Sequence, residues 1–305
     1  MKLELKALGL ATLLLVTGGC SPTPDHLATE EEREAQSAEA GPDAGTFAEV
    51  NGTRLFYEIR GQGESLVLIG GAHLDSRLWD QQVERFAEDF RVLRYDPRGI
   101  GRSELPQAPF SHYQDLHALL QFLGIERTNI LAFSFGGGVA LDFAVAHPQM
   151  VQSLILVAPG LSSWKDELAP VLAELSRLAG QQGRPKAVEM LLSDPSMPTA
   201  EHREAREKMS EILLDSARLF DSDFAYLRFM EPLDPPAEER LQNIVAPTLL
   251  VVGERDHPGI HENVDTLQQK IAGAKKVLIM GVGHLVSLEK PDELTRILLD
   301  FLSAG

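Results

Sequence analysis

Asn129-Ile130-Leu131-Ala132-Phe133-Ser134-Phe135-Gly136-Gly137-Gly138 is an apolar run that breaks into serine and glycine, then resumes as Val139-Ala140-Leu141-Asp142-Phe143-Ala144. The first half reads as a buried strand and the second as a helix, with small residues marking a sharp turn between them. A serine on such an elbow has its hydroxyl lifted clear on a strained backbone. Ser134 is therefore a candidate nucleophile. Downstream, Thr248-Leu249-Leu250-Val251-Val252-Gly253-Glu254-Arg255-Asp256 and Lys276-Val277-Leu278-Ile279-Met280-Gly281-Val282-Gly283-His284 each run a strand pattern into a loop ending on an ionisable residue. A serine hydroxyl attacks well only when a base takes its proton, which His284 would do. Asp256 would fix the tautomer of His284 and stabilise the imidazolium that forms. This chemistry calls for no metal and no cofactor.

The rest of the body is regular. Asn51-Gly52, between Phe47-Ala48-Glu49-Val50 and Thr53-Arg54-Leu55-Phe56-Tyr57-Glu58, predicts a type I′ hairpin. Strand patterns follow at 65–69, 91–95, 129–133, 153–157, 248–252 and 276–279, with helix patterns such as 112–123 between most of them. That alternation predicts an α/β fold, a mostly parallel central sheet with helices on both faces. The loops at Ala72, Ser134, Asp256 and His284 all follow the carboxyl ends of strands, where open α/β sheets place their ligands. The segment 161–245 is the exception, with helix-like runs at 168–178, 185–192, 201–220 and 224–229 and no convincing strand. A structureless loop of that length is implausible, so an inserted helical cap over the site is expected. Trp164, Met190, Leu213, Phe220, Phe224, Tyr226, Phe229 and Met230 would either roof a substrate or hold the cap helices together, and helical stripes more often mark core.

Taken in order, six segments resemble the α/β-hydrolase superfamily, in its single-domain, cap-bearing branch, from about Phe47 to the C-terminus. Leu66-Val67-Leu68-Ile69-Gly70-Gly71-Ala72-His73 is similar to the family's strand and oxyanion loop, with Trp79 where the family often has tryptophan. Tyr95-Asp96-Pro97-Arg98-Gly99-Ile100-Gly101-Arg102-Ser103 resembles its Asp-x-Arg-Gly-x-Gly-x-Ser turn, and Val157-Ala158-Pro159-Gly160 the exit of the strand after the nucleophile helix. Gly283-His284 followed by Glu289-Lys290-Pro291 looks like its histidine loop, and the chain order Ser134, Asp256, His284 is that of its triad. The resemblance implies an oxyanion hole from the backbone N–H groups of Ala72 and Phe135. It departs from the family at Ala132, where a glycine is usual two residues before the serine, and at Gly70, where histidine is common. Asp96 and Arg98 read as a loop-structuring pair. His73, beside the oxyanion loop, would face solvent or bond the loop more readily than touch substrate.

The 305 residues, 44% hydrophobic, suffice for one large core. The net charge of −17 leaves no basic stripe, so nucleic acid is excluded as a partner and a small-molecule substrate is expected. Residues 1–20 read as a processing segment: Lys2 and Lys6 precede an apolar stretch too short to span a bilayer. Its end, Thr17-Gly18-Gly19-Cys20-Ser21, resembles a bacterial lipoprotein signal, with Thr17 in place of the preferred leucine and Cys20 as the lipidated residue. The alternative is an ordinary cleaved secretory peptide, giving a secreted or periplasmic protein. Cys20 is the only cysteine, so no intrachain disulfide forms. Residues 21–46 hold seven acids against Arg33, with three prolines and few large apolar side chains, the composition of a disordered acidic tether. The catalytic body is then 47–305, held to a membrane of the cell envelope through the lipid on Cys20.

The expected activity is hydrolysis of a small, largely apolar ester, lactone or thioester through an acyl-enzyme on Ser134. Within the superfamily, a carbon–carbon bond hydrolase or a proline iminopeptidase with the same triad is the alternative. Haloalkane dehalogenase and epoxide hydrolase are disfavoured, because those members use aspartate where this chain has Ser134. From another class, a ligand-binding protein that keeps the fold without turnover remains an alternative.

Overall fold

The computed structural model describes residues 45–161, 165–216 and 229–304. The processing segment, Cys20 and nearly all of the tether lie outside the described residues. Among the described residues the chain forms one sheet of eight strands in the order β1-β2-β4-β3-β5-β6-β7-β8. The strands are β1 (Thr46–Val50), β2 (Thr53–Arg60), β3 (Glu64–Ile69), β4 (Phe90–Tyr95), β5 (Thr128–Phe133), β6 (Val151–Val157), β7 (Thr248–Gly253) and β8 (Lys275–Ile279). Asn51 and Gly52 both take positive φ, 48° and 67°, the conformation a type I′ turn requires, and β1 pairs antiparallel with β2. Strand β2 is antiparallel to β4, and from β4 to β8 every pairing is parallel.

The period-2 alternation of strand side chains divides the core into two clusters. Leu66, Leu68, Leu131, Phe133, Ile155, Val157, Leu249 and Val251 face one side. Their partners there include Val83 and Phe86 of α1 (Asp80–Ala87) and Leu294 and Leu298 of α9 (Pro291–Leu302). Val67, Ile69, Ile130, Ala132, Leu154, Leu156, Leu250 and Val252 face the other side. They pack with α2 (His112–Phe122), α3 (Phe135–Ala146) and α7 (Pro258–Lys270). A strand buried on both faces favours apolar residues on both, which is why 130–133 of β5 and 249–252 of β7 read as unbroken hydrophobic runs.

Between β6 and β7 the chain builds α4 (Lys165–Gln182), α5 (Arg184–Leu191) and α6 (Arg203–Asp215). The helix expected to reach residue 220 ends at Asp215, because Ser216 leaves helical geometry with ψ 80°. Residues 217–228, with Phe220, Phe224 and Tyr226, lie outside the described residues, as does Trp164. The described members of the expected substrate roof all contact the core. Leu213 belongs to the first core cluster with Met190 packed against it, while Met230 and Phe229 join the second. Helices α4, α5 and α6 thus share their core with the face of the sheet that carries Phe133 and Val157. Ion pairs from Arg77 to Asp215 at 2.7 Å and from Lys208 to Asp80 at 3.1 Å tie α6 to the body.

Candidate active site

Ser134 sits between β5 and α3 with φ 50° and ψ −116°, a region that non-glycine residues rarely occupy. Its own backbone is held from three directions. The Ser134 N–H donates to the Val157 carbonyl at 3.0 Å, and its carbonyl accepts from Gly137 and Gly160, each at 2.8 Å. The elbow also needs close approach. A Cβ at position 136 would lie 2.5 Å from the Gly70 carbonyl oxygen, and one at position 137 would lie 2.8 Å from Pro159 Cβ. The glycines after the serine therefore carry the packing requirement, and Ala132 fits fully buried in β5.

Ser134, His284 and Asp256, 150 and 28 residues apart in their pairs, meet at the carboxyl ends of β5, β8 and β7. His284 Nε2 lies 3.0 Å from Ser134 Oγ, and His284 Nδ1 lies 2.9 Å from Asp256 Oδ1. The Asp256 side chain is fully buried, and Oδ1 also accepts the His257 N–H at 2.7 Å. Phe133 packs its ring on the His284 imidazole, with centroids 4.9 Å apart. With Nδ1–H donating to the carboxylate, Nε2 is left as an acceptor facing the hydroxyl, the arrangement a general base needs. His257, the neighbour of Asp256, is committed elsewhere: its ring caps α7 by accepting the Gly259 N–H.

Ala72 follows β3 and Gly71, and Phe135 is the first residue of α3, whose first-turn N–H groups have no partner within the helix. The two segments are joined by the Gly136 N–H donating to the Gly70 carbonyl at 3.1 Å. Phe135 packs edge-on to the buried ring of His112 at 5.0 Å, and burial holds His112 neutral by pushing its pKa down to about 3. His73 does not face solvent: it is buried at φ 61°, and burial lowers its pKa to about 4.

Asp96 and Arg98 both organise loops, but not as a pair. Asp96 accepts the N–H groups of Ser76 and Arg102, whereas Arg98 forms a buried fork to Asp115 at 2.6 and 2.8 Å. Burial raises the Asp115 carboxyl against the opposing pull of Arg98. Near the histidine loop, Ser196 and Asp194 escaped sequence reasoning, and Glu289 was read only as part of that loop's motif. Glu289 accepts the Gly283 N–H at 3.1 Å, the Ser196 carbonyl accepts the His284 N–H at 2.7 Å, and Asp194 accepts from Ser196. The only local sign of the last two was the turn-forming Asp194-Pro195-Ser196.

The sequence profile of the alpha/beta hydrolase fold matches residues 64–291. The chain belongs to the α/β-hydrolase family. Among curated relatives of this hydrolase, an uncharacterized protein of Mycobacterium bovis is 36% identical over 136 residues, 43% of this chain and 40% of the relative. The chain thus spans less than half the length of that relative. A putative carbamate hydrolase, RutD, of Pseudomonas savastanoi pv. phaseolicola is 28% identical over 266 residues, covering 82% of the hydrolase and 99% of the relative. Among solved structures, the enol-lactonase from Burkholderia xenovorans LB400 superposes with a TM-score of 0.70 at 27% identity. That superposition covers 84% of the hydrolase and 99% of the enol-lactonase.

Proposed function

We propose that this hydrolase cleaves a small, largely apolar ester, lactone or thioester through an acyl-enzyme on Ser134. What carries the reading is the relay from Ser134 Oγ through His284 to Asp256, at 3.0 and 2.9 Å, beneath a serine held at positive φ. As Oγ bonds to the substrate carbonyl carbon, Nε2 takes the hydroxyl proton and Asp256 stabilises the imidazolium. The carbonyl oxygen becomes an oxyanion, met by the N–H groups of Ala72 and Phe135. Collapse expels the leaving oxygen or sulfur, which receives the proton from His284. Water then repeats the sequence on the acyl-enzyme and releases the acid. The named relatives support a carbonyl substrate, since a carbamate and an enol lactone are both opened at an acyl carbon.

The experiment is labelling with a fluorophosphonate followed by hydrolysis of a panel of esters and lactones. One adduct on the Ser134 peptide, with turnover of at least one class in the panel, is expected. No adduct and no turnover overturns the triad and favours a ligand-binding protein, and full ester turnover by Ser134→Ala overturns Ser134 as the nucleophile.

We further propose that Cys20 is lipidated and that residues 21–46 tether the body to a membrane of the cell envelope. The support is the sequence Thr17-Gly18-Gly19-Cys20-Ser21 after an apolar stretch, with an acidic, proline-containing segment beyond it.

A further inference from the structure

The loop that carries His284 is mounted on three sides. From the acid loop, the Arg255 N–H donates to the Val282 carbonyl at 2.8 Å. From α8 (Val286–Glu289), the buried Glu289 carboxylate accepts the Gly283 N–H at 3.1 Å. The third side belongs to the helical insertion. The Ser196 carbonyl accepts the His284 N–H at 2.7 Å, and His202 Nε2 lies 3.1 Å from the Gly281 carbonyl oxygen. The fit at Ser196 leaves no slack: a Cβ on Gly283 would lie 2.1 Å from the Ser196 carbonyl oxygen and 2.9 Å from its carbon.

Ser196 is itself held in place. Asp194 Oδ1 accepts its N–H at 2.8 Å and its hydroxyl at 2.5 Å, closing a tight turn. Arg206 of α6 reaches back with Nη1 to the carbonyls of Leu192, at 2.6 Å, and Pro198, at 3.2 Å, on either side of that turn. Burial opposes ionisation of Asp194, but the bonds from Ser196 hold its carboxyl below the usual range.

We propose that the Ser196 carbonyl, set by Asp194 and Arg206, is part of the mounting of the catalytic base, holding the His284 loop where Nε2 meets Ser134. Asp194 and Arg206 are positioning residues, acting through Ser196 on His284. The inference rests on Ser134 and His284 being nucleophile and base. The insertion then serves turnover, because moving it away withdraws a hydrogen bond from the base.

The test uses Asp194→Ala, which removes the acceptor, beside Asp194→Asn, which keeps an oxygen at the same place. Misplacing a reacting group by a fraction of its bond length from the productive geometry is costly, so Asp194→Ala is expected to lower kcat and the rate of fluorophosphonate labelling about tenfold to a hundredfold. KM and the melting temperature should change little, and Asp194→Asn should recover most of the loss. Arg206→Met reaches the same turn through different bonds and supplies the readout if Asp194→Ala does not fold. Wild-type labelling at Ser134 together with unchanged kcat and labelling rate in Asp194→Ala or Arg206→Met overturns the positioning role while leaving the triad standing. A wild type that is not labelled at all overturns the triad, and this inference with it.

Discussion

The carbonyl of Gly70 accepts the N–H of Gly136 at 3.1 Å, so the loop after β3 and the helix after Ser134 form one hydrogen-bonded unit. That bond sets the separation of Ala72 from Phe135, the two proposed oxyanion donors. A methyl at position 136 would lie 2.5 Å from the Gly70 oxygen and 2.8 Å from Ile69 Cγ2, and neither neighbour is the free end of a flexible side chain. Gly136→Ala is therefore expected to lower kcat about tenfold to a hundredfold through the displaced donors. Overpacking should also destabilise the fold by about 1–3 kcal/mol in denaturant unfolding. An unchanged kcat would show that this spacing does not govern turnover.

The relay predicts strong non-additivity. Ser134→Ala and His284→Ala should each cost several orders of magnitude in kcat, and the double variant should be little worse than either, because the residues act as a unit. Asp256→Asn should lower kcat by about four orders of magnitude with KM nearly intact, since it disturbs the tautomer of His284 and leaves the pocket alone. Single-turnover and steady-state rates on the best ester of the panel decide this. Multiplying losses in the double variant would mean that Ser134 and His284 act separately.

Arg98 and Asp115 make a buried pair, each side chain less than a tenth exposed, joined by Asn51 Nδ2 at 2.6 Å from Asp115. Removing one partner strands a buried charge, so Asp115→Ala should destabilise the protein by about 3–5 kcal/mol. Activity per folded molecule should not change, because the pair lies outside the proposed relay. Urea unfolding paired with active-site titration measures both, and a loss below about 1 kcal/mol would place the pair with exposed ion pairs in energetic effect.

His112 supplies a pH signature. Burial depresses its folded pKa from 6.5 to about 3, so between those values the unfolded chain binds a proton that the folded chain does not. Its contribution to stability is therefore complete above about pH 6.5 and is lost progressively as the pH falls towards about 3. Asp96, Asp115 and Glu289, raised by burial, slope the opposite way, their contributions fading as pH rises through their folded values. The difference between variant and wild type isolates the histidine. His112→Phe keeps an aromatic ring against Phe110 and Phe135 and should flatten the fall in melting temperature on acidification. Parallel curves for the two proteins would remove His112 from the acid sensitivity.

For the proposed anchor, Cys20→Ser should release the protein from the membrane fraction without altering its specific activity, because stable anchoring needs more than one acyl chain and a serine accepts none. Retention of the variant with membranes would point to a different attachment.

The sequence by itself determined most of the elements and the candidate residues that each one carries. Strand and helix periods differ, glycine and asparagine mark turns, and an apolar run ending on Ser134, Asp256 or His284 marks each as a candidate within ten residues. Those signals are local, and the hairpin at Asn51-Gly52, the strand positions and the three relay residues were legible for that reason. Only the tertiary structure decided which distant groups meet. Arg98 pairs with Asp115 and not with Asp96, Leu213 joins one core cluster and Met230 the other, and the Ser196 carbonyl comes to the His284 amide. A backbone carbonyl has the same chemistry at every residue, so no pattern along the chain distinguishes the one at Ser196. It acquires a partner 88 positions away only when the packing of α6 and the turn at Asp194 bring the two strands of chain within hydrogen-bond reach.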